Sequence, residues 1–180
     1  MPRHIAFLRA INVGGHTVKM QVLRELFQSL GFSNVETVIA SGNVVFESPE
    51  GAGRRLEQEI ERLLKHALGF QVATFLRTAA ELTTVVRQQP FDLTELGPDT
   101  VVYVIFLRNK PTVTLSKAVR ALNTDNDQAR VGKREVYWLR RKRSEDSEEF
   151  GARLGKVVGT ETTMRNMTTV RKIVDKYCKL

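Results

Sequence analysis

Hydrophobic positions along the chain change period repeatedly, and each change marks an element. Residues 3–9 hold a short apolar run around Ile5, Ala6, Phe7 and Leu8, which predicts a strand. From 19 to 30 the spacing becomes helical, with Val22, Leu23, Leu26, Phe27 and Leu30 on one face and Gly31 placed to end it. Residues 35–39 and 43–47 read as two strands joined tightly through Ala40-Ser41-Gly42, a predicted hairpin. Residues 53–68 carry the clearest helical stripe, Leu56, Ile60, Leu63, Leu64 and Ala67, closed by Gly69. A further strand follows at 71–77. The order β-α-β-β-α-β is the ferredoxin-like arrangement.

Thr78-Ala79-Ala80-Glu81 has the spacing of a capping box and predicts a connecting helix ending near Gln89-Pro90. Pro90, Gly97 and Pro98 make the next stretch a loop-rich linker. The pattern then restarts. A β-branched strand at 101–108 leads to a short helix at 114–122 through Leu115, Val119 and Leu122. Residues 129–131 and 135–139 pair around Gly132-Lys133. A helical region at 147–157 precedes a last helix at 167–177, with Met167, Val170, Val174 and Tyr177 on one face. Phe7-Leu8-Arg9 at the end of the first strand recurs as Phe106-Leu107-Arg108, and the same order of elements follows both. The expected architecture is α+β, with duplicated ferredoxin-like halves at 1–77 and 100–180, antiparallel or mixed sheets, and a linker at 78–99. A single six- or seven-stranded sheet is the alternative.

Composition narrows the class. The 180 residues are 42% hydrophobic and 27% charged, as in a soluble globular protein. No stretch is apolar enough to span a membrane, and Met-Pro-Arg-His leads into a strand without a secretory h-region. The single Cys178 has no internal disulfide partner, and a cytoplasmic location is expected. Net charge is +8, and it is unevenly placed: residues 1–129 hold 14 basic and 13 acidic residues, residues 130–180 hold 14 and 7. The run Arg140-Arg141-Lys142-Arg143 centres that excess. It reads either as a weak, non-specific nucleic-acid patch or as a solvated loop offset by Glu145, Asp146, Glu148 and Glu149.

Three short segments carry candidate chemistry. Arg9, Asn12, Gly14 and Gly15 lie between a strand and a helix start. There, glycine lets backbone N–H groups face an anion and an arginine adds a bidentate donor. The competing reading is a glycine-dependent turn with Arg9 paired locally. His16 beside it is either an acid/base group or a solvated side chain. Ser41-Gly42-Asn43 marks the hairpin tip, where turn geometry alone explains Asn beside Gly. Arg165-Asn166 precedes the last helix: Asn166 is a good N-cap, whereas Arg165 near a helix N-terminus asks for a compensating anion or buried carboxylate. Together these segments predict one concave ligand site. Nucleotide fingerprints, H-E-x-x-H, metal-ligand spacing and G-x-S-x-G are absent, so no cofactor or metal is expected. Trp138 and Tyr137, on a strand beside the basic run, read either as a platform for stacking a base or, for one of the two, as core.

The segments Phe7-Leu8-Arg9-Ala10-Ile11-Asn12-Val13-Gly14-Gly15, Leu30-Gly31-Phe32, Ser41-Gly42-Asn43-Val44-Val45-Phe46 and Thr162-Thr163-Met164-Arg165-Asn166-Met167-Thr168-Thr169 together resemble the bacterial domain-of-unknown-function family 1697. Met167 departs from the family's usual aromatic, and the basic run 140–143 is atypical of it. The resemblance implies a duplicated ferredoxin-like α+β fold in a cytoplasmic bacterial protein, and implies that loop, hairpin tip and Arg-Asn segment belong together. It implies no activity. Three functions follow: an anion-binding module for a nucleotide, phosphorylated metabolite or RNA phosphate; a small-molecule transferase or hydrolase using Arg9, Arg165 and His16; or a protein-interaction domain without a small ligand.

Overall fold

The computed structural model describes residues 1–39, 42–94 and 96–178. Its first six elements are β1 (Arg3–Leu8), α1 (Met20–Ser29), β2 (Ser33–Val38), β3 (Asn43–Glu47), α2 (Arg54–Leu68) and β4 (Thr74–Thr78). Then come α3 (Ala79–Arg87), β5 (Val101–Leu107), α4 (Val113–Ala121), β6 (Asp127–Val131), β7 (Glu135–Arg140), α5 (Glu145–Val158), β8 (Thr162–Asn166) and α6 (Met167–Tyr177). The strands make two four-stranded sheets, ordered β2-β3-β1-β4 and β6-β7-β5-β8, with every pairing antiparallel. The fold is therefore a duplicated ferredoxin-like α+β arrangement and not one larger sheet.

Local chemistry explains the boundaries. Gly69, with φ of 82°, ends α2 in the left-handed conformation that glycine adopts without Cβ strain. The capping box forms as spaced: Glu81 N–H donates to Thr78 Oγ1 at 3.1 Å, and Thr78 N–H donates to Glu81 Oε2 at 2.8 Å. In the first sheet Ala6, Leu8, Val44, Phe46 and Leu76 pack with Leu23 and Phe27 of α1 and with Leu56, Ile60 and Leu64 of α2. The alternate positions Ile5, Phe7, Val45, Phe75 and Arg77 are buried as well. Burial of both faces makes these strands continuous apolar runs in the sequence rather than alternating ones.

In the second sheet Ile105, Leu107, Val136 and Trp138 pack with Val119 of α4 and with Phe150 and Leu154 of α5. Buried Asp127 ties this core: Trp138 Nε1 donates to it at 2.9 Å and Ser147 Oγ at 2.7 Å. Trp138 and Tyr137 are both core residues, where the sequence pointed to one of them.

The chain divides into two compact units, Met1–Thr83 together with the chain from Ile173 on, and Thr84–Lys172. Helices α3 and α6 thus each contribute to both. In the first unit, Arg3 Nη1 donates to Tyr177 O at 2.8 Å and Tyr177 OH donates to Glu36 Oε2 at 2.7 Å. In the second, Tyr137 OH donates to Val85 O at 3.3 Å.

Strand β8 lies where the sequence pattern predicts no element. Residues 162–166 form β8, with Val104 opposite Arg165 and Tyr103 opposite Asn166. The inward positions of this strand are Thr163 and Arg165, while Met164 faces outward at 45% exposure. That pattern inverts the polarity that marks a strand.

Candidate functional site

The end of β1 is pinned on both sides. Leu8 N–H donates to Gly42 O at 2.8 Å and Arg9 N–H donates to Ala73 O at 2.9 Å. The chain then turns at Ala10, with φ of 55°, and buries Ile11. Asn12 Oδ1 accepts from Val18 N–H at 2.8 Å, which closes the loop at its base. Val13, Gly14, Gly15, His16 and Thr17 between them are exposed. Gly14 and Gly15 have φ of 64° and 85°, and a Cβ on either would meet no atom within 4 Å. Their backbone therefore faces solvent, and among the described residues neither N–H has a protein acceptor. His16 lies flat on Phe70, ring centroids 3.9 Å apart and 19° between planes.

The hairpin tip meets this loop from below. Ser41 lies outside the described residues. Gly42 has φ of 77°, and a Cβ there would fall 2.6 Å from Ile11 Cγ2 and 3.2 Å from Leu8 Cβ. Asn43 is buried, opposite Phe7 in register, and its Nδ2 donates to Val38 O at 3.0 Å. Within the first unit, then, Gly42 and Asn43 are brought to the base of the Arg9–Gly15 loop. Asn43 spans the connection between β2 and β3 and points no group outward.

Arg165 and Asn166 belong to the second unit. Arg165 is 8% exposed, and its Nη1 donates to Thr163 Oγ1 and to Met164 O, both at 2.8 Å. Burial pushes its pKa down to about 10, so it remains a cation at neutral pH. It is a buried strand residue and not a surface cation in the first turn of α6. Arg77 holds the matching place on β4, fully buried, with Nη1 donating to Leu76 O at 2.8 Å. Asn166 does cap α6, its Oδ1 accepting from Thr168 N–H at 2.8 Å. It also lines a cavity of about 220 Å³ with Gly97, Thr168 and Arg171.

The basic run is largely occupied within its own unit. The Arg140 guanidinium lies 5.5 Å from the Tyr103 ring centroid, and Arg141 Nε donates to Asp125 O at 3.1 Å. Arg143 Nη2 lies 3.4 Å from Glu148 Oε1, while Lys142 takes part only through its backbone O, which accepts from Asn126 Nδ2 at 2.9 Å. A different cationic feature escaped the sequence reading. Lys110, Arg120, Arg130 and Lys133 line one cavity of about 460 Å³ in the second unit. They are spread over 24 positions of sequence, so no run or motif announces them.

Among the described residues no group of three or more His, Cys, Asp or Glu is placed to hold a metal ion, and no helix is long and apolar enough to cross a membrane.

The fold is shared with a solved structure described as that of conserved bacterial protein SP0830 from Streptococcus pneumoniae. The two superpose with a TM-score of 0.77 at 24% identity, covering 99% of each chain. No curated protein matches the sequence. A family model described as "Protein of unknown function (DUF1697)" matches residues 1–137, from the start of the chain into β7, and the chain belongs to that family.

Proposed function

We propose that the protein is an anion-binding module that contacts a phosphate-bearing ligand through the β1–α1 loop. The observation that carries this reading is the exposed glycine pair. Gly14 and Gly15 present two N–H groups without protein acceptors among the described residues, on a loop whose base is fixed by Asn12, Ile11 and Gly42. Fixed backbone donors bind anions without the ordering cost of a mobile loop. Arg9, half-buried at the foot of the loop, adds positive charge. Ser41, outside the described residues, stays in the proposed site for its hydroxyl, and Asn43 ties β3 to the end of β2 through Val38 O. Arg165 enters as a buried support of β8 rather than as a contact to ligand.

The test is a thermal-shift screen against orthophosphate, nucleotides, sugar phosphates and short RNAs. A ligand present at about 100 times its Kd stabilises the folded state by about 2.7 kcal/mol. Gly15→Ala, which removes the left-handed preference, and Arg9→Gln should each shrink that stabilisation. A wild-type protein stabilised by none of these compounds, or variants responding as wild type does, would exclude the loop as the contact.

A further inference from the structure

We propose that the groove bounded by the β5–α4 loop, α4, β6 and the β6–β7 turn is a second binding site, specific for a polyphosphate group on a small molecule. It goes beyond the loop reading and does not depend on it.

Four cations converge there from four different pieces of chain. Lys110 comes from the β5–α4 loop, Arg120 from α4, Arg130 from β6 and Lys133 from the β6–β7 turn. No carboxylate lines the groove. Among the described residues none of the four cations makes a hydrogen bond or an ion pair through its side chain. The neighbouring Glu135 carboxylate is buried and accepts from Arg134 N–H at 3.1 Å. Four like charges around one concavity repel one another, and that repulsion is relieved when an anion enters. The contrast with residues 140–143 is informative. Where cations are consecutive in sequence the fold gives most of them partners, and where it gathers distant ones it leaves them without.

The lining selects among anions. The volume of about 460 Å³ falls in the range of small-molecule sites. No aromatic side chain lines the groove, so it offers no platform for stacking a base. Val119, Ala129 and Val131 give it an apolar floor, and the charge stands around the rim. Such a site recognises adjacent phosphates and is indifferent to what they are attached to. Four cations match the charge of a di- or triphosphate better than that of a single carboxylate.

The experiment is calorimetric titration of the full chain with inorganic tripolyphosphate, with acetate at matched ionic strength and with a short single-stranded RNA. Tripolyphosphate is expected to bind, and Arg130→Gln/Lys133→Gln to weaken it by about tenfold or more while leaving the unliganded melting temperature unchanged. Gly15→Ala should leave this binding intact, which separates the groove from the loop. Absence of tripolyphosphate binding, equal affinity in the double variant, acetate binding of similar strength, or RNA binding tighter than tripolyphosphate would each overturn the proposal. Tighter RNA binding would assign the groove to nucleic acid instead.

Discussion

Replacing Gly42 by alanine tests whether the hairpin tip and the β1–α1 loop act as one structure. The change has two separable costs. The residue has φ of 77°, and a left-handed conformation costs a residue with a Cβ about 1–2 kcal/mol. The added carbon would also stand 2.6 Å from Ile11 Cγ2, well inside the roughly 3.5–4.0 Å of ordinary carbon contact. Ile11 is buried, and Leu8 on the other side is held by its N–H bond to Gly42 O. Neither neighbour can simply swing away, and overpacking of this kind costs about 1–3 kcal/mol. Gly42→Ala should therefore cost about 2–5 kcal/mol. Gly14→Ala and Gly15→Ala share the positive φ but open onto solvent, so each should cost only about 1–2 kcal/mol. Urea denaturation measures all three. The double variant Gly42→Ala/Ile11→Ala isolates the steric part, because Ile11→Ala deletes the clashing methyl: the two losses should be less than additive by about 1 kcal/mol. Full additivity, or a Gly42→Ala loss no larger than that of Gly15→Ala, would refute a packed contact between tip and loop.

Asp127→Ala strips the acceptor from Trp138 Nε1 and Ser147 Oγ in the second core, leaving buried donors that cost about 1–3 kcal/mol each. A melting temperature lowered by about 10 °C is expected, and a loss below about 1 kcal/mol would refute the hub role. His4 is buried, and burial holds its imidazole below the ordinary value of 6.5. The unfolded chain therefore takes up the proton first, so stability should fall as pH drops below about 6.5 until the folded value is passed. In melts across about pH 8 to pH 5, His4→Phe should flatten that decline, and an unchanged slope would assign it to other groups. Arg165→Met should lower the melting temperature by several degrees even without ligand, because the buried guanidinium satisfies Thr163 and a backbone carbonyl. An unaltered melt would return Arg165 to the surface role that its place before a helix suggests. Glutamine at all four of 140–143 should change the log-affinity versus log-salt slope for RNA by about 2 or less, since Arg140 and Arg143 are engaged at home. A change near 4 would show the whole run on phosphate.

What the sequence discloses follows from what is local. Strands β1, β3, β5 and β7 are read directly because their residues are apolar on both faces. The start of α3 is read from a four-residue box. Strand β8 is hidden because its partner β5 lies far upstream and its inward side chains are a threonine and an arginine, which look like loop chemistry. Strand β6 begins at Asp127, before the expected boundary, because a buried carboxylate in a core is not a pattern that apolar periodicity finds. Val22 is 40% exposed although its spacing places it on the face of α1 that carries Leu23 and Phe27. The glycine loop is legible because positive φ leaves a compositional mark. The four-cation groove is not, because only the fold brings 110, 120, 130 and 133 together.

The duplication makes the difference between the halves interpretable residue by residue. Phe7 stands opposite Asn43 as Phe106 stands opposite Glu135, and Leu8 N–H donates to Gly42 O as Leu107 N–H donates to Arg134 O, each at 2.8 Å. Gly42 and Arg134 are therefore equivalent positions, as are Arg9 and Arg108. In the first unit Gly42 also packs closely on Ile11, an approach that a Cβ would block. In the second the same backbone bond forms at Arg134, and its side chain adds a further tie, Nη2 donating to Arg108 O at 3.1 Å. Close approach fills the space below the loop with Ile11 and leaves an exposed glycine turn above it. The second unit has instead an open concavity lined by buried Val119 and Ala129 and by exposed cations. One topology thus presents backbone donors in one half and side-chain charge in the other. On the two readings proposed above, only the second gathers enough charge in one place to discriminate among anions by it.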